Sequence, residues 1–283
     1  MSIEEKQYIK STISSYDLLI CADIFHLEDI IWVPNIKKVC ISWTSDIVGM
    51  GNESLPRLDD QFELLIVDCA YAQNLWRDRC FFQIPTFQLP YGVHTRKLYT
   101  YDANYRRNVI STRHWNHNYN QRILLESISQ NNNFCLDNEF HFTGDGPTLS
   151  DLSYTYKKLQ EQNYIQFLGL VPNNSIVDLI SKYKLYISTS LSDGISVSML
   201  EAMSAGTPVL VSDIASNREF IDHGINGFLY VNDSVEDLSK KIKEIFENNF
   251  DLKQIAVEAQ RTIKEKANWH LNIKHLVSAI IKL

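Results

Sequence analysis

Short apolar runs recur along this chain, most of them four to six residues long, and longer stretches with helical spacing of apolar positions lie between many of them. The runs at Asp17–Ala22, Lys38–Trp43, Leu64–Val67, Phe87–Pro90, Asn108–Ser111, Phe140–Thr143, Ile165–Leu168, Leu185–Thr189, Pro208–Ser212 and Gly227–Tyr230 predict strands. Helical spacing marks Gln121–Gln130, Ser150–Glu161, Asn174–Tyr183, Val197–Ala205 and Val235–Asn248, and the stretch Ile263–Leu283 reads as helical and separately placed. Strand runs this short and this continuously apolar belong to parallel sheets covered on both faces. The predicted class is therefore α/β, with doubly wound parallel sheets.

The segment Tyr91–Arg107 is polar and lacks apolar periodicity, so it reads as a linker after Pro90. On this reading residues 1–98 form one Rossmann-like unit, 99–262 a second, and 263–283 a C-terminal helix that packs back on the first, with Trp269 as its anchor. The first unit carries about four strands, fewer than a full doubly wound domain.

Composition narrows the function. With 45% hydrophobic and 22% charged residues the chain is globular rather than disordered. Its 34 acidic against 27 basic side chains give a net charge of -7, which argues against a broad nucleic-acid-binding surface. No apolar run approaches the length of a membrane span, and the opening MSIEEKQYIK lacks a secretory h-region. The five cysteines (Cys21, Cys40, Cys69, Cys80, Cys135) form no C-x-x-C pair and read as reduced core residues of a cytoplasmic protein. His114 and His117 lack further ligands at metal spacing, so no metal site is expected. Lys240, Lys241 and Lys243 read as a solvated helix face that leaves room for membrane-surface contact.

The chemistry concentrates in Ser188–Asn226. A strand ends near Thr189, a turn holds Ser192, Asp193 and Gly194, and a helix follows to about Ala205. Gly206 is placed for a left-handed cap, and Pro208 prevents the helix from continuing. A loop of this kind, at the carboxyl end of a parallel strand and feeding a helix N-terminus, suits an anionic ligand. Glu201, one to two turns into the helix, could accept hydrogen bonds from a vicinal diol. Spacing alone fits equally well a generic strand-to-helix turn with a surface glutamate.

The stretch from Asp193 through Glu201 to Val209, an acid, seven residues, then Glu-Ala-Met-x-x-Gly-x-Pro-Val, resembles the signature of retaining GT-B glycosyltransferases of the "glycosyl transferases group 1" (family 4-like) type. Phe142–Pro147, Phe167–Pro172, Ser212–Glu219, Gly224–Leu229, Leu89–Leu98 and Ile110–Asn120 resemble further segments of that family, in order, over about 88–246. The resemblance implies a GT-B-like fold with an incomplete N-terminal domain, and a site for a nucleotide diphosphate-sugar donor. It implies that Glu201 holds the ribose hydroxyls, that Asp193, Gly194, Ile195 and Ser196 face the donor sugar and phosphates, and that Arg113 pairs with the diphosphate, with Arg122 as its substitute helper. Val171 would contact the base, and Glu219 would border the cleft. The implied reaction is transfer to a hydroxyl of a glycan or lipid-linked acceptor with retained configuration, in surface-polysaccharide assembly, without a metal or other cofactor. Several positions depart from the family pattern. Asp193 replaces the usual Glu, Ile195-Ser196 replaces Phe-Gly, Asn118 and Tyr119 stand where a Lys is common, and Trp43 falls where a His is usual. These departures keep open a non-catalytic nucleotide-sugar-binding or stabilising partner of another glycosyltransferase. The short first unit lacks a counterpart to the family's opening strands and Gly-rich loop, which implies truncation, reduction, self-association or a completing partner subunit.

Overall fold

The computed structural model describes residues 7–8, 11–13, 15–22, 33, 36–44, 47, 62–79, 84–90, 92–94, 97, 99–131, 133, 138–247 and 250–283. Cys80, Cys135 and parts of the expected linker (Tyr91, Thr95, Arg96, Leu98) lie outside them. The chain divides into two compact units, one of residues 1–91 with 271–283 and one of 92–270. The linker residues 92–98 and the stretch 263–270 thus fall in the second unit.

Among the described residues of the first unit, four parallel strands run in the order β1 (Leu18–Cys21), β2 (Lys37–Ser42), β3 (Leu64–Val67), β4 (Thr86–Gln88), and helix α1 (Ala70–Arg79) follows β3. Every residue of β3 is buried, as expected of a central parallel strand. Val39, Leu64 and Ile66 form one core cluster, and Leu276 and Leu283 from the C-terminal segment pack against it. Cys21, Cys40 and Cys69 are buried.

The second unit holds a six-stranded parallel sheet. Its strands are β5 (Arg107–Thr112), β6 (Phe140–Thr143), β7 (Ile165–Gly169), β8 (Tyr183–Ser188), β9 (Val209–Ser212) and β10 (Phe228–Tyr230), in the order β10-β9-β8-β5-β6-β7. The helices are α2 (Gln121–Gln130), α3 (Leu149–Thr155), α4 (Lys157–Glu161), α5 (Asn173–Ile180), α6 (Val197–Ser204), α7 (Ala215–Arg218), α8 (Val235–Phe246) and α9 (Leu252–Lys266), with α10 (Trp269–Ile281) crossing into the first unit. One large core joins Trp115, Leu124, Phe140, Phe142, Leu185 and Phe228. From β5 the chain winds outward through β6 and β7, then returns to place β8 on the other side of β5. Winding therefore reverses between β5 and β8, and the crevice outside their carboxyl ends is where open α/β sheets take ligands.

Two expected helices are each divided. The stretch 150–161 breaks at Tyr156 into α3 and α4. The stretch 263–283 breaks at Ala267–Asn268, where Val93 pairs with Asn268 as an isolated bridge and its N–H bonds the Ala267 carbonyl at 2.9 Å. Gly92 makes this approach possible, since a Cβ there would lie 2.4 Å from the Trp269 nitrogen.

Candidate functional site

Arg113 leaves the carboxyl end of β5, and Asp193 lies in the loop after β8, so the winding reversal brings them together. Arg113 Nη2 donates to Asp193 Oδ2 at 2.5 Å, and Nη1 donates to Ser196 Oγ and Ser198 Oγ, each at 2.8 Å. The Tyr119 ring covers the guanidinium with its centroid 3.8 Å from Cζ. Behind this cluster the buried Tyr186 hydroxyl donates to Ser198 Oγ at 2.8 Å. The Arg113 side chain is only 7% exposed, and Nε makes no hydrogen bond. Burial is the largest influence and works against the Arg113 charge, but the Asp193 carboxylate together with the Tyr186 and Tyr119 hydroxyls outweighs it, so the guanidinium proton is held more tightly than usual.

The loop between β8 and α6 is fixed by its neighbours. Asn118 Nδ2 donates to the Ser192 carbonyl at 2.8 Å and its Oδ1 accepts from Ser192 Oγ at 2.9 Å. Leu191 N–H bonds the Asn118 carbonyl at 2.7 Å, and Ser216 Oγ donates to the Asp193 carbonyl at 2.8 Å. Asn118 and Tyr119 thus serve the scaffold: Asn118 ties down the loop and Tyr119 backs Arg113. On the other side, Gln121 Nε2 donates to the His114 carbonyl at 2.7 Å. Gly144 (φ +103°) lets the β6 turn lie against the Arg113 carbonyl, which a Cβ would approach to 2.5 Å. Asp145 is a turn residue, accepting from the Gly146 N–H at 2.7 Å.

Ser196 caps α6 by accepting from Met199 N–H at 3.3 Å. The N–H groups of Gly194 and Ile195 find no partner among the described residues, and with the dipole of α6 they form a local positive end. Gly206 (φ +60°) and Thr207 close the other end, bonding the Met203 and Ala202 carbonyls in a Schellman arrangement. Arg106 adds bonds to the Ala205 and Gly206 carbonyls.

Glu201 lies on the α6 strip shared with exposed Val197 and with Ser198, the residue bonded to Arg113. It is half-buried, and its carboxylate has no partner among the described residues. Burial raises its pKa from 4.5 to about 7.

The other expected residues fall apart from this cluster or at its border. Val171 is half-buried between β7 and α5. Arg122 is turned along α2 to Glu126, at 2.7 Å, and does not join Arg113. Glu219 ends α7, and its neighbour Arg218 pairs with Asp213 rather than with Glu219. Ser198, Tyr186 and Gln121 were not marked by the sequence pattern, because nothing local distinguishes a structural hydroxyl or amide from one that serves a guanidinium across the sheet. A cavity of about 890 Å³ opens at the opposite, amino ends of β5 and β8 near Arg107 and Lys184, and contains none of the expected site residues. Among the described residues no three His, Cys, Asp or Glu side chains are grouped to hold a metal ion, and no helix is long and apolar enough to cross a membrane.

The family model "Glycosyl transferases group 1" matches residues 104–268. The chain belongs to this family. Among curated relatives of this family member is a "UDP-N-acetylglucosamine--peptide N-acetylglucosaminyltransferase GtfA subunit" of Streptococcus agalactiae, 23% identical over 55% of this chain and 33% of the relative. Another is the "Poly(ribitol-phosphate) alpha-N-acetylglucosaminyltransferase" of Staphylococcus aureus, 28% identical over 45% of this chain and 26% of the relative. The chain thus matches a third or less of the length of these curated relatives. The crystal structure of Anabaena Alr3699/HepE in complex with UDP and glucose superposes with a TM-score of 0.81 at 18% identity, covering 98% of this chain and 81% of that one. S. aureus TarM superposes at 0.78 with 15% identity, over 95% and 57%. The fold of this group 1 family member is GT-B, and among the described residues the N-terminal sheet has four strands against six in the other.

Proposed function

We propose that this protein is a glycosyltransferase that moves a sugar from a nucleotide diphosphate-sugar to a hydroxyl of a glycan or lipid-linked acceptor, with retention of configuration, in surface-polysaccharide assembly. The observation that carries this reading is the cluster of Arg113, Asp193, Ser196 and Ser198 at the winding reversal, with Ser198 on the same helix strip as Glu201, whose carboxylate has no partner among the described residues. It lies wholly within the stretch matched by the family.

In this reading the ribose diol donates to the Glu201 carboxylate, which exchanges its lost solvation for two charge-assisted hydrogen bonds. The N–H groups of Gly194 and Ile195, the positive end of α6 and Arg113 receive the diphosphate. The C1–O bond to the diphosphate breaks, a C1–O bond to the acceptor oxygen forms on the same face, and the hydroxyl proton leaves with the nucleoside diphosphate. Charge developing on the leaving phosphate is met by donors already in position. Asp193 faces the sugar, Val171 lies toward the base, and Glu219 borders the site. HepE, bound to UDP and glucose, and the transferase names of the curated relatives support a donor of this chemical class.

Calorimetry with UDP, GDP and ADP tests the donor site. One of them binds the wild type, and Glu201→Ala abolishes that binding. Hydrolysis of the matching sugar nucleotide by the protein then supports the enzyme reading. Binding without turnover favours the alternative of a non-catalytic partner subunit, for which Trp43 in place of the usual His, Asn118 and Tyr119 in place of the usual Lys, and the short first unit are the motivating departures.

A further inference from the structure

Arg113 presents an unusual account of its donors. Its outer edge, formed by Nε and Nη2, is the fork that grips a carboxylate or phosphate with two parallel bonds. Here Asp193 takes Nη2 alone, and Nε is buried without a partner. Nη1 is committed to Ser196 and Ser198, and Tyr119 closes one face. A guanidinium this enclosed requires a nearby anion, because a buried charge left unpaired costs several kcal/mol. In the free protein Asp193 supplies it, but as a one-handed occupant of a two-handed site. The Asp193 backbone is held apart from Arg113, its carbonyl accepting from Ser216 Oγ at 2.8 Å.

Building on the donor-site reading, we propose that Asp193 is a resident stand-in for the donor phosphate. The incoming diphosphate displaces it from Arg113, fills both Nε and Nη2, and releases the Asp193 carboxylate toward the sugar. The self-occupied fork therefore weakens nucleotide binding while keeping the buried guanidinium neutralised between turnovers. The short side chain at this position is part of the device: with its backbone pinned by Ser216, it reaches one guanidinium nitrogen.

A double-mutant cycle on the full chain, read by calorimetry with UDP, GDP and ADP, tests this. Asp193→Asn is expected to bind the preferred diphosphate about tenfold more tightly than wild type, and that gain is expected to disappear when Asp193→Asn is made in an Arg113→Gln background. A gain of equal size in both backgrounds would mean that the aspartate only repels the ligand at a distance, and would overturn the proposal. Unchanged or weaker binding in Asp193→Asn, with normal binding in wild type, would overturn it while leaving the donor site intact. If neither protein binds any of the three nucleotides, the donor-site reading falls and takes this proposal with it. Should Asp193→Asn fail to fold, Asp193→Ser keeps an uncharged acceptor beside Arg113 and carries the same expectation.

Discussion

Glu201 is held against its own charge. Burial alone lifts its pKa from 4.5 to about 7, and no cation or donor among the described residues offsets that. A carboxyl whose folded pKa is raised binds more protons folded than unfolded between those two values, so its contribution to stability is present below about 4.5 and is lost as pH rises through 7. Replacement by Gln removes that loss. Glu201→Gln is expected to be more stable than wild type by about 2–3 kcal/mol at pH 8, and little different at pH 4, in urea unfolding. The same variant is expected to bind nucleotide more weakly, because an amide accepts from a diol less strongly than a carboxylate does. Wild-type affinity should fall about tenfold between pH 8 and pH 6 as the carboxylate takes up its proton, and the Gln variant should show no such slope. A mutation that strengthens the fold and weakens binding is the expected mark of a functional side chain.

At the scale of elements, the position of Arg113 is inherited from the turn that packs on it. Gly144 has φ +103° and sits where a Cβ would come within 2.5 Å of the Arg113 carbonyl, a main-chain atom that cannot rotate away. Gly144→Ala is therefore expected to destabilise the protein by about 2–3 kcal/mol, lowering the urea midpoint with an unchanged m value, and to weaken nucleotide binding through the displaced backbone at Arg113. The apolar runs marked all ten described strands, since a central parallel strand such as β3 is apolar at every position whatever it pairs with. They did not mark the break at Ala267–Asn268, which depends on a rung made with Val93, far away in the chain. The site divides in the same way. Asp193, Ser196 and Glu201 were legible because they share one loop and helix, and Arg113 through its family-like strand end. The bond between Arg113 and Asp193 was not, because it spans the winding reversal. Nor were the uses of Asn118 and Tyr119, where a familiar cation gives way to an amide clamp and an aromatic backing.

For the whole molecule, the division into two units with separate cores has a consequence at the C-terminus. The family-matched stretch, the six-stranded sheet and every residue of the Arg113 cluster belong to 92–270. The last thirteen residues, 271–283, belong instead to the first unit, where Leu276 and Leu283 pack against Val39, Leu64 and Ile66. Asn272 Nδ2 donates to the Pro90 carbonyl at 2.8 Å, and Lys37 Nζ reaches the Leu283 carbonyl at 2.5 Å. Uncovering these two leucine contacts removes several kcal/mol of apolar burial from the first unit. Deletion of 271–283 is accordingly expected to lower the unfolding transition of the first unit, seen as lost amide-exchange protection in β2 and β3. Protection in β5, β8 and β9, and nucleotide binding at Arg113 and Glu201, are expected to stay within about threefold of wild type if the two cores are energetically independent. Equal loss of protection in both sheets would show instead that the units fold as one cooperative body, and would move the stability of the donor site out of the second unit alone.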